Sequence, residues 1–214
     1  EWIRLHYAFP SGFPEDILQV MASHPNICNY LDMPLQHGSD EMLKIMRRGI
    51  TRERTQRLLD KIRGTIENVA IRTTLIAGHP GETEQHFQEM LDFVEENKFE
   101  RLGIFTYSHE EDTHSFSMSD NVSIEVKQER ANAVMELQEQ ISYDINQRKV
   151  GTVQKVLIDK KESGYFVGRT EHDSPEVDNE VMIPADKNYL RIGDFAQVKI
   201  TEATEFDLYG EPIT

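Results

Sequence analysis

The spacing of apolar residues changes character once along this chain, and that change limits the fold more than any other feature. From Trp2 to Tyr107, short apolar runs alternate with segments of helical periodicity. Trp2 to Tyr7, Tyr30 to Leu35, Val69 to Ala77 and Leu102 to Tyr107 read as strands. Helices are expected between them at Pro14 to Ala22, Asp40 to Arg48, Thr51 to Gly64 and Glu82 to Asn97. Strands separated by helices of this length imply βα units and a parallel sheet of about four strands. After a polar stretch from Ser108 to Asn121, Val134, Leu137, Ile141 and Ile145 recur every three or four residues and predict a long helix over 124–149. Beyond Gly151 the period falls to two, with strands expected at Val153 to Ile158, Tyr165 to Arg169, Val181 to Ile183 and Ala196 to Ala203. Gly164, Asp178-Asn179 and Gly193-Asp194 supply turns. Several short strands without a helix, over residues 151–214, suit a small OB-like barrel. The expected architecture is therefore α/β: a partial (β/α) barrel with a long closing helix over 1–150, then a small all-β barrel over 151–214.

Charge bears on the class of partner. The chain has 23 basic and 38 acidic residues, a net charge of −15, and both parts share the excess. Nucleic acid is an unfavoured partner, because phosphate binding depends on cationic neutralisation. A basic partner would be attracted, although acidity can equally serve solubility. No apolar run approaches the roughly 20 residues that span a bilayer, so no membrane is expected and the cytoplasm is the expected compartment. The single cysteine, Cys28, excludes an intrachain disulfide and cannot by itself hold an iron–sulfur cluster. No metal ligand set is expected from this sequence. The start, Glu1 to His6, enters strand-like sequence at once, as a chain beginning inside a domain would.

In α/β sheets, ligands lie at the carboxyl ends of the parallel strands. Pro10-Ser11-Gly12, Gln36-His37-Gly38-Ser39, Gly78-His79-Pro80-Gly81-Glu82 and Tyr107-Ser108-His109-Glu110-Glu111 follow the four strands, and all are polar or glycine-rich. Gly78 and Gly81 around Pro80 permit close approach of backbone to a ligand, or a plain strand-to-helix connection. Gln36 and Ser39 have the chemistry to bind a ribose, while Ser39 also suits a helix N-cap. His37, His79, His109 and His114 match no simple metal-ligand spacing. In the barrel, Glu171, Asp173, Glu176 and Asp178 place four acids within eight residues. Such a loop repels phosphate and attracts Lys or Arg, or is a solvated hairpin.

Taken together, Leu31-Asp32-Met33-Pro34-Leu35-Gln36-His37-Gly38-Ser39-Asp40, Met46-Arg47-Arg48-Gly49 and Ile71 to Thr83 closely resemble the radical S-adenosylmethionine (SAM) methylthiotransferase family. Phe105-Thr106-Tyr107-Ser108 with Glu110-Glu111 extends the match, and the last part resembles that family's TRAM domain. The resemblance implies a parent enzyme with two 4Fe-4S clusters, whose ligands are absent here. In such enzymes a 5′-deoxyadenosyl radical from SAM abstracts hydrogen from an unactivated carbon, and a methylthio group is attached there. By position, Gln36, Ser39, Thr74, Gly78, Gly81, Glu82 and Tyr107 are implied to face SAM. Arg72 is implied either to bind the SAM carboxylate or to form an ion pair within the barrel. His79 departs from the family pattern, which more often has a bulky apolar residue. The acidic stretch Gly168 to Asp178 resembles the protein-modifying branch, whose target is an aspartate β-carbon in small-subunit ribosomal protein twelve, a basic protein. Two alternatives stay open: modification of adenosine in tRNA, and a non-catalytic protein-binding module. The chain alone is expected to be inactive, and an open sheet edge is expected to favour self-association.

Overall fold

A computed structural model describes residues 2–213. The first part is a four-stranded sheet, β1 (Ile3–Leu5), β2 (Ile27–Asp32), β3 (Ala70–Ala77) and β4 (Arg101–Thr106), in sequential order with every pair parallel. Helices α1 (Ile17–Ser23), α2 (Asp40–Ile45), α3 (Arg52–Thr65) and α4 (Glu84–Asn97) occupy the crossovers. A 3-10 turn at His114–Ser117 precedes α5 (Ile124–Gln147), which lies against β4 and α4. The second part is a closed barrel of β5 (Val153–Glu162), β6 (Tyr165–Arg169), β7 (Val181–Pro184), β8 (Phe195–Ala203) and β9 (Leu208–Pro212), in the order β5-β6-β7-β9-β8. This is the α/β architecture expected, with its four parallel strands and small barrel.

Alternation along β3 divides the two faces of the sheet. Ile71, Thr73, Leu75 and Ala77 are buried, while Arg72, Thr74 and Ile76 are half-exposed on the concave side. The buried set packs in a core with Leu59 and Ile62 of α3, Met90, Phe93 and Val94 of α4, and Val134 and Ile141 of α5. A separate core, including Val156, Phe166, Ile183, Val198 and Leu208, fills the barrel.

Several boundaries differ from expectation for local reasons. β2 begins at Ile27 because Ile27 already pairs with Ile3 of β1. It ends before Met33-Pro34, where proline cannot donate to the ladder. Pairing resumes as a single bridge between Gln36 and Leu75. Helix α2 stops at Ile45 because Arg47 and Gly49 take left-handed φ of 55° and 67°. Helix α4 starts after Glu82, at a Thr83 N-cap whose hydroxyl accepts from His86 N while the His86 ring accepts from Thr83 N. Strand β9 went unpredicted because Leu-Tyr-Gly-Glu-Pro lacks a repeated apolar alternation. Its Gly210 is needed: a Cβ there would lie 2.6 Å from Val198 Cγ1.

The two parts are tied through two neighbouring loops at one end of the barrel. At the end of α5, Ser142 Oγ donates to Glu205 O (2.6 Å), Asn146 Nδ2 to Thr204 O (3.0 Å) and Gln147 Nε2 to Ala203 O (2.8 Å). Beside it, the loop between β6 and β7 reaches the amino-terminal ends of β2, β3 and β4. Tyr30 Oη donates to Asp178 (2.7 Å), and the Arg101 guanidinium grips Asp173 through Nε (3.0 Å) and a second, shorter contact.

Candidate functional site

At the carboxyl end of the sheet, the concave face opens into a cavity of about 540 Å³. Gln36, Thr74, Ile76, His79, Phe105 and Tyr107 form its floor and walls. Gln36 is placed by backbone pairing: its N donates to Thr74 O and its O accepts from Ile76 N, both at 2.9 Å. It does so at φ 74°, a left-handed conformation that non-glycine residues adopt at a cost. Tyr107 is held where β4 ends, its N donating to Ala77 O (2.8 Å), and Lys127 Nζ lies 5.0 Å from its ring centroid. The cavity combines an amide, a hydroxyl, an imidazole and aromatic faces, a set suited to a nucleoside.

The turn after β3 forms one rim. Gly78 and Gly81 take φ of 75° and 85°. A Cβ on Gly78 would stand 2.2 Å from Lys127 Cγ, so α5 closes over the turn at a distance only glycine allows. Glu82 folds back beneath the turn and is buried. Its two oxygens accept from Gly78 N (3.0 Å each), from His37 Nε2 (3.2 Å) and from Arg130 Nη1 (2.8 Å). Ser39 N donates to His37 Nδ1 (2.9 Å), which fixes the imidazole proton on Nε2, facing Glu82. Burial opposes ionisation of Glu82, but the His37 bond, the Gly78 amide and the Arg130 charge hold its carboxyl below the usual range.

His79 sits on the cavity wall, edge-on to Tyr107 with centroids 4.9 Å apart. Its Nδ1 faces Pro80 O at 3.0 Å and so carries the proton, leaving Nε2 to accept from Ser115 Oγ at 2.8 Å. Burial pushes its pKa below the ordinary value. His79 therefore tethers the 3-10 segment to the cavity.

Of the eight residues expected at a cofactor, Gln36, Thr74 and Tyr107 line this cavity. Gly78, Gly81 and Glu82 shape its rim from behind. Ser39 holds the N-cap backbone conformation of α2, but its side chain makes no cap bond and is buried. Arg72 lies lower on the concave face. Its Nε is 3.3 Å from Asp178 and its Nη1 3.4 Å from Asp32, the ion-pair alternative. Burial disfavours the Arg72 cation, yet Asp178 and Asp32 keep its pKa above normal.

The acidic loop corrects an expectation. Glu171, Asp173 and Asp178 turn toward the sheet, and only Glu176 of the four is exposed. Asp173 is 0% exposed. Burial raises its pKa, but Arg101, Lys149 and the Thr170 hydroxyl outweigh that and bring it to about 2. Glu171 accepts from Asn29 N at 3.2 Å. These three carboxylates answer cations and amides of the α/β part and offer little charge to a partner. The signal was available: Arg72 and Arg101 sit near the starts of β3 and β4, where buried guanidinium groups require counter-anions. Arg48 was also missed as a cavity residue. It lines the wall, donates to Pro34 O (2.7 Å) and stacks over Phe9.

The chain's residues do not fit an iron–sulfur cluster. Cys28 is buried against Tyr30, Ala70 and Trp2, and burial raises its thiol pKa. Among the described residues no group of three or more His, Cys, Asp or Glu is placed to hold a metal ion. The cavity's donors and aromatic walls do fit a nucleoside-bearing cofactor.

Comparisons with known proteins agree with this geometry. Residues 1–94 match the Radical SAM superfamily, and residues 150–213 match the TRAM domain. A ribosomal protein uS12 methylthiotransferase RimO from Christiangramia forsetii is 62% identical over 213 residues, covering 100% of this chain and 47% of that protein. Its counterpart in Cytophaga hutchinsonii is 62% identical over 211 residues, covering 99% and 48%, and that of Phocaeicola vulgatus is 50% identical over 210 residues, covering 98% and 49%. The chain thus spans about half the length of the curated relatives it matches. Among solved structures, coproporphyrinogen III oxidase (HemN) from Escherichia coli, a radical SAM enzyme, aligns with a TM-score of 0.54 at 19% identity. That alignment covers 92% of this chain and 45% of the other, and it supports the fold.

Proposed function

We propose that this chain, which belongs to the radical SAM methylthiotransferases as the C-terminal part of a RimO-type protein, holds the nucleoside end of SAM in the cavity over β3 and β4. Gln36 and Thr74 would bond the sugar, Tyr107 and Phe105 would flank the adenine, and the Glu82-braced turn would fix the rim. SAM, together with two 4Fe-4S clusters bound by other segments, supplies the radical initiator and the methyl group. The residues here bind and orient. The observation that carries this reading is the cavity itself, formed where Gln36, Thr74, His79 and Tyr107 converge.

The proposed reaction is attachment of a methylthio group to an aspartate β-carbon in ribosomal protein uS12, in the cytoplasm. A net charge of −15 supports a basic protein partner over tRNA. Helix α5 adds to this: its exposed acids Glu125, Glu129, Glu136, Glu139 and Asp144 share the helix with Lys127 and Arg130, both buried. The division into radical SAM and TRAM parts is placed at 150/151. The exposed edge of β1, with Ile3 51% exposed, leaves the isolated chain prone to pair with another strand. Among the described residues, no helix is long and apolar enough to cross a membrane.

The test is methylthiolation by the full-length protein that contains this chain, reconstituted with iron and sulfide, read by mass spectrometry. An aspartyl peptide of uS12 should be modified, and Thr74→Val with Tyr107→Ala should raise the KM for SAM about tenfold or more. Modification of tRNA but not of the peptide would overturn the partner. An unchanged KM would overturn the cavity assignment.

A further inference from the structure

A second cavity, of about 520 Å³, lies between the two parts at the amino-terminal ends of β2, β3 and β4, opposite the end that carries Gln36 and Tyr107. The α/β part contributes Asn68, Glu100 and Arg101, α5 contributes Lys149 just beyond its end, and the barrel contributes Gln154 and His172. The charged groups here have hydrogen-bond partners among the described residues, with one exception. Glu100 accepts from Arg63 Nη2 (3.2 Å) and Ile71 N (2.8 Å), and Glu171 accepts from Asn29 N. Arg101 is matched by Asp173. Lys149 makes no salt bridge and no side-chain hydrogen bond among the described residues. Neighbouring His172 has a buried Nε2 that also lacks a partner.

From this unpartnered ammonium we infer that the interdomain cavity binds a small oxyanion, a phosphate- or carboxylate-bearing molecule, through Lys149. Carboxylates elsewhere in the cavity wall already accept from chain donors, so they compete weakly for Lys149. The unmet donor capacity is cationic. Burial lowers the Lys149 pKa to about 8, against the smaller opposing pull of Asp173 and Glu100. On a chain of net charge −15, few other places would retain an anion. Its lining comes from both parts, so a bound anion would brace the barrel against the sheet.

The test uses inorganic phosphate, titrated against the chain at constant ionic strength with chloride as the balancing anion. Thermal midpoint and amide chemical shifts are followed together. The expected result is a saturable rise in midpoint, with shifts centred on Ala70 and Gln154. Lys149→Met should weaken the apparent Kd about tenfold or more, while Lys187→Met, on an exposed barrel loop, should leave it unchanged. A non-saturable response, or equal affinity in the Lys149 and Lys187 variants, would overturn the inference. Because shifts in the unmodified chain report the site directly, poor folding of a variant would still leave the question decided.

Discussion

At the residue scale, Asp173 is the most constrained acid in the chain. Removing one partner of a buried pair strands the other's charge, at about 3–5 kcal/mol. Asp173→Asn should therefore lose stability of that order at pH 7 by denaturant titration. The pH dependence has a definite sign. The folded pKa of about 2 lies below the ordinary 3.8, so the pair's contribution is fully present above about pH 4 and is lost as pH falls through 2. The gap between Asp173→Asn and the parent chain should narrow over that window. A constant gap from pH 7 to pH 2 would show that the ion pair is not its source.

At the scale of elements, the turn between β3 and α4 is the part of the site the chain builds most deliberately. Gly78→Ala forces a Cβ into Lys127 at a left-handed φ, and should cost more than about 1 kcal/mol. The same substitution should weaken nucleoside binding, because the turn cannot keep its height above Thr74 if α5 is displaced. Calorimetric titration with SAM checks this. The elements themselves were largely legible: alternation along Ala70 to Ala77 and the three-to-four spacing in α5 report burial directly. What the sequence hid was direction. Glu82 looked like the first residue of a helix, but a carboxylate two residues before the helix has the reach to brace the turn. Likewise, nothing in Glu171 to Asp178 distinguishes an acid facing solvent from one facing Arg72 or Arg101. That information lies in a strand 72 residues away from Asp173. Gln36 and Tyr107 were legible because they follow strand ends, whereas Thr74, inside β3, was legible only through the family resemblance. Arg48 was not, since its path depends on the left-handed turn at Arg47 and Gly49.

For the whole molecule, the acids divide into two populations. Glu171, Asp173 and Asp178 of the β6–β7 loop face inward and join the parts, while the acids of α5 face outward and set the field. Joining should be visible in unfolding. The parent chain is expected to melt in one calorimetric transition, because the barrel loop and the α5 end both cross between the parts. Arg101→Met leaves Asp173 buried without its cation and should split that transition in two. A single transition in the variant would assign the coupling to the α5 contacts with Thr204 and Glu205 instead. The Arg101 and Asp173 pairing also has a consequence for heredity. Each side chain is harmful without the other, so a lineage that loses one should survive mainly through a compensating change at its mate. Two codons far apart in the gene, one in the α/β part and one in the barrel, are thereby expected to behave as one unit of inheritance.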